Sequence, residues 1–122
     1  MIFRDQGRVL VTIDRGVDRD ARLLFWQVSN GFYLNTTNLQ GGPVDISVFS
    51  PDGQMIATAI QGDQIPQVIV HNVADGQVLK RFNLPHASAV SIAFSADSKQ
   101  LAFVDGDGAQ PGGHGLPLSG VF

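Results

Sequence analysis

The chain has 122 residues, 43% hydrophobic and 16% charged, a length and an apolar content that suit one globular unit and exclude simple disorder. Its net charge of −3 removes the basic footprint of a nucleic-acid binder, and the lack of cysteine removes disulfides, thiolate zinc sites and a cysteine nucleophile. Fourteen glycines fit a fold of many tight turns better than one of long helices.

In chain order, the opening MIFRDQGR lacks the apolar core of a secretory signal, and Met1-Ile2-Phe3 reads as a clipped strand. Asp5-Gln6-Gly7 is a turn, followed by a strand over Val9 to Ile13. A polar loop leads to the longest apolar run, Leu23-Leu24-Phe25-Trp26, far too short to span a membrane as a helix. Asn30-Gly31 is a hairpin signal and delivers the chain to Phe32 through Thr36. The same four-strand order then returns. Val44 to Val48 alternates with period two, Ser50-Pro51-Asp52-Gly53 turns, and Met55 to Ile60 forms the next strand. Val68 to Val70 centres a third strand, Asp75-Gly76 turns, and Gln77 to Phe82 follows. A third copy begins with Val90 to Phe94, turns at Asp97-Ser98 and continues over Leu101 to Val104.

The repeat has a period of about 45 residues: Phe3, Phe49 and Phe94 head matching runs, and Leu23 to Gly31 aligns with Val68 to Gly76. The one-residue slack in the first repeat falls between Ile13 and Arg22, in a loop. Relative to the shared Phe, the alternation in Val44 to Val48 is one residue out of phase with that in Val90 to Phe94, which predicts a bulge or a shifted pairing. One period beyond Val70 falls at residue 115, but five glycines and two prolines crowd the span Asp105 to Leu118 and no central strand is expected there.

With Phe49-Ser50-Pro51-Asp52-Gly53 before the second strand, Trp26-Gln27 and His71-Asn72 at the end of the third, and Pro85-His86 ahead of the last repeat, residues 1–106 resemble the WD40 repeat family. No repeat carries the family's complete set of His, Ser/Thr, Asp and Trp, and Gly41-Gly42 replaces the expected His region ahead of the second repeat. Related propellers with the same Ser-Pro-Asp-Gly turn, such as TolB-like and peptidase-associated ones, are the alternative. The resemblance implies an all-β fold: an incomplete β-propeller of about two and a half four-stranded antiparallel blades. Blade one spans about 1–39, blade two 44–84 and a partial blade three 90–106, with 107–122 an irregular Gly/Pro-rich tail. Closed propellers use four to eight blades, so the array is expected to be a portion of a longer propeller or a subunit that assembles through its open faces.

Little catalytic chemistry is legible. Asp105-Gly106-Asp107-Gly108 resembles a calcium loop, but its twelfth position is Leu116 instead of Glu. His71, His86 and His114 share no metal-ligand spacing, and no nucleophile elbow, P-loop or dinucleotide fingerprint occurs. Trp26 is expected to pack between blades and His71 to be an ordinary strand residue. The polar loops between second and third strands supply the candidate site: Arg15, Arg19 and Arg22 in the first repeat and Asp63 in the second, a charged rim for a protein partner, against the plainer alternative of a solvated loop whose charges cancel. The implied function is a non-catalytic protein–protein interaction scaffold without cofactor, metal, nucleic acid or membrane, expected in the cytoplasm. The alternatives are the propeller portion of a hydrolase or TolB-like protein whose active site lies elsewhere, or a self-assembling propeller subunit.

Overall fold

A computed structural model describes residues 1–16, 19–60, 67–83, 89–105 and 114–117. All regular structure among them is β. The first sheet takes the chain in order through β1 (Ile2–Arg4), β2 (Val9–Asp14), β3 (Ala21–Gln27) and β4 (Tyr33–Leu39). The second repeats this with β5 (Val44–Phe49), β6 (Met55–Ile60), β7 (Gln67–Asn72) and β8 (Val78–Asn83). The third contains β9 (Ala89–Phe94), β10 (Gln100–Asp105) and β11 (His114–Pro117), with β10 in the middle. Every pairing is antiparallel.

The turns form as their chemistry dictates. Ser50 Oγ accepts from the Met55 amide at 2.9 Å and donates to Asp52 at 2.6 Å, while Asp52 accepts from the Gln54 amide at 3.0 Å. Ser95, Asp97, Lys99 and Gln100 reproduce these bonds one period later. In the other hairpins, Asn30 and Asp75 each accept from the backbone two residues on, at 2.9 and 3.0 Å, the Asx geometry that favours these residues in turns.

The repeat extends to register. In the second sheet Met55 faces Asn72 and Ile56 faces His71; in the third, Gln100 faces Pro117 and Leu101 faces Leu116, the same pairs moved on by one period. The segment after residue 106, read above as irregular, therefore contains a strand where the period places it. β11 lies at the sheet margin, where glycine and proline are tolerated because one side of the strand needs no ladder hydrogen bonds.

The phase slip also has a different cause from the one expected. Asp45 is the extra residue between the Val44 and Ile46 pairs, and Val90 is the extra residue at the same place in the third sheet. The bulge is common to both repeats, so it does not distinguish them. The neighbours do. Ile46 and Val48 pack towards the third sheet, whereas Ile92 and Phe94 pack back towards the second.

The sheets stack through two apolar layers. Val11, Leu23, Phe25 and Leu39 of the first meet Val44, Ile56 and Val73 of the second. Met55, Ala57, Val68, Val70 and Phe82 of the second meet Leu101 and Phe103 of the third, with the Phe82 and Phe103 rings 5.6 Å apart. Because the second sheet is covered on both sides, all six residues of β6 are buried and its binary alternation disappears.

Candidate functional site

The β2–β3 loop forms the charged rim. Asp14 ends β2 directly across from Arg22 in β3, so antiparallel register alone puts carboxylate and guanidinium side by side. Arg22 and Arg19 both donate to Asp14 Oδ2, at 2.8 and 2.6 Å, and the Gly16 amide donates to Oδ1 at 3.1 Å. Hydrogen bonds from Arg22 first, then Arg19 and the Gly16 amide, hold the Asp14 carboxyl well below the usual carboxylate range.

The rim is also tied to the segment that links the first two sheets. Arg15 Nη1 donates to the Asp45 carbonyl at 3.0 Å, the Val44 amide donates to the Arg15 carbonyl at 2.9 Å, and the Gly42 amide donates to Asp20 Oδ1 at 2.8 Å. The structure thus brings Arg15, Arg19 and Arg22 to one edge, but pairs two of them with Asp14 and turns the third onto backbone. Asp63 lies outside the described residues. The carboxylates Asp14 and Asp20 organise the loop, and the cross-strand position of Asp14 relative to Arg22 is the sequence signal that identifies the first.

A second constellation recurs between sheets. Trp26 Nε1 donates to Thr12 Oγ1 at 2.9 Å. One repeat later, Thr58 Oγ1 lies 3.4 Å from His71 Nε2, and His71 Nδ1 lies 3.3 Å from the Gly76 carbonyl. His71 is buried, and burial lowers its pKa below the ordinary value for histidine. Trp26 does not lie between the described sheets. It sits half-buried on the outer face of the first, edge-on to Tyr33 with centroids 5.8 Å apart. The reason is parity: Phe25 takes the side facing the second sheet, so Trp26 takes the other.

Under the turns of the first sheet runs a broad open groove of about 1090 Å³, lined by Asp5, Arg8, Gln27, Ser29 and Leu34 among others. Among the described residues, no three or more His, Asp or Glu side chains gather where they could hold a metal ion, and no helix is long and apolar enough to cross a membrane.

No protein-family model matches the chain, and no curated protein matches it. Among solved structures it is similar to Kuenenia stuttgartiensis hydrazine synthase, at a TM-score of 0.66 and 14% identity, over 89% of this chain and 32% of that one. The chain spans about a third of the length of that structure. The likeness is one of fold: the stacked antiparallel sheets resemble part of a β-propeller, each sheet standing as a blade.

Proposed function

We propose that the chain is a non-catalytic protein-docking scaffold made of about two and a half WD40-like propeller blades. The observation that carries this reading is the fixed geometry of the rim. Asp14 clamps Arg19 and Arg22, Arg15 and Asp20 bond to the segment leading into and starting the next sheet, and Arg15 and Arg19 stand exposed beside these bonds. Preorganised arginines lose less freedom on docking and are favoured contact residues. The Thr12–Trp26 hydrogen bond supports the WD40 part of the reading, since it supplies two members of that family's side-chain chain.

The test is parallel affinity capture from the source cells with the wild type and an Arg15→Glu/Arg19→Glu double variant, the far-ultraviolet circular dichroism of both being compared. A defined protein held by the wild type and weakened at least about tenfold in a folded variant supports the rim as the docking surface. Equal retention by both chains, or retention by neither, overturns it.

A further inference from the structure

Asn30-Gly31 and Asp75-Gly76 stand one period apart and close the same turn. Asn30 Oδ1 accepts from the Phe32 amide at 2.9 Å, and the Gly31 amide donates to the Gln27 carbonyl at 2.8 Å. Asp75 Oδ1 accepts from the Gln77 amide at 3.0 Å, and the Gly76 amide donates to the Asn72 carbonyl at 2.7 Å. Their surroundings differ. Asn30 and Gly31 are exposed with open space beside the glycine, whereas Gly76 is buried against β4. The first turn can therefore open locally without parting two sheets.

Asn30 also differs from the other asparagines of the chain. Asn35, Asn38, Asn72 and Asn83 all lie in strands and precede Thr, Leu, Val and Leu, so a fixed backbone and a following side chain guard the next amide nitrogen. Glycine after Asn30 leaves that nitrogen bare. We propose that Asn30 is a site of spontaneous deamidation in the folded chain. When the turn opens, the Gly31 nitrogen gives up its proton and attacks Asn30 Cγ. The N–Cγ bond forms, the Cγ–Nδ2 bond breaks, and Nδ2 leaves with the proton as ammonia. One water then opens the cyclic imide. Cleavage of the new N–Cγ bond leaves aspartate; cleavage between Gly31 N and the Asn30 main-chain carbonyl leaves isoaspartate.

The two products act differently. Aspartate keeps the turn, because Asp75 makes the same bond one period later. Isoaspartate adds a carbon to the main chain inside a short hairpin loop and displaces the Trp26–Tyr33 pairing that follows it. Either product adds one negative charge beside Ser29 and Gln27, which line the groove under the turns. The reaction uses no rim residue and goes beyond the docking reading.

Peptide mapping by mass spectrometry tests this on the full chain, incubated in one neutral buffer with and without concentrated urea, circular dichroism confirming which sample is folded. Isoaspartate is measured separately, by methyl transfer from S-adenosylmethionine with an isoaspartate methyltransferase. Opening the turn breaks two hydrogen bonds, so Asn30 in the folded chain should convert about 5- to 150-fold more slowly than in urea. The expected result is conversion within that range, with isoaspartate among the products and the other four asparagines unchanged in the folded sample. Slowing beyond it, as for a turn that opens only when the whole chain unfolds, overturns the proposal. So does a smaller ratio, as for a turn that is not closed, or conversion of another asparagine ahead of Asn30.

Discussion

Gly31 and Gly76 occupy one position of the repeat, in turns with matching hydrogen bonds and nearly identical φ of +73° and +75°. Their surroundings differ. A Cβ at Gly31 meets nothing within 4 Å, whereas a Cβ at Gly76 falls 2.5 Å from Thr37 Cγ2 and 2.6 Å from the Asn38 carbonyl oxygen, both in the first sheet. Alanine at either site incurs the left-handed backbone cost of about 1–2 kcal/mol. At Gly76 it also forces β4 away from the second sheet, an overpacking cost of about 1–3 kcal/mol more, because a backbone carbonyl cannot swing aside as a side-chain end can. Urea unfolding of Gly31→Ala and Gly76→Ala measures both. With a slope of about 1–3 kcal/mol per molar urea, the Gly76 variant should unfold at a midpoint lower by roughly a further 1 M. The backbone term cancels in the comparison, so the difference reports contact between the first and second sheets. Equal midpoints would refute the stacking described above.

Two further outcomes follow from buried groups. His71 is neutral in the folded chain because burial depresses its pKa, so the unfolded chain takes up its proton first; stability is greatest above about pH 6.5 and declines on acidification towards the folded value, with a slope of up to about 1.4 kcal/mol per pH unit that His71→Gln should remove in urea titrations between about pH 5 and 8. Phe103→Ala opens the layer between the second and third sheets beside Phe82 and should cost about 3–5 kcal/mol; a change in urea midpoint equivalent to less than about 1 kcal/mol would show that the third sheet is not held there.

The period and the turns were readable because each rests on local chemistry: Ser-x-Asp and Asx bonds close within five residues and need no knowledge of the neighbours. What depends on a neighbouring sheet was not readable. The phase of Ile46 and Val48 against Ile92 and Phe94 records which side is covered, and a single strand pattern does not name its cover. The side that Trp26 takes was not readable either, being decided by parity with Phe25. β11 escaped detection because Gly115 and Pro117 argue against a central strand, and a margin strand obeys a weaker rule. At the rim, charge was visible but its allocation was not: Arg19 and Arg22 share Asp14 only once β2 and β3 are paired.

Ser98 shows how the stack overrides a local preference. It occupies the place that Gly53 holds one period earlier and adopts φ of +62°, close to the +73° of the glycine. A side chain there is costly by about 1–2 kcal/mol, and local rules would put glycine in both turns. Ser98 is buried, and its hydroxyl accepts the Asp52 amide of the second sheet at 3.2 Å. The bond offsets part of the backbone cost by satisfying a part-buried donor that glycine would leave without this partner. Gly53 faces a different neighbour: a Cβ there would come 3.5 Å from the Phe3 carbonyl and the Arg4 side chain of the first sheet, and no hydroxyl is called for. The two turns share one backbone shape, and the sheet each one leans on decides which residue fills it.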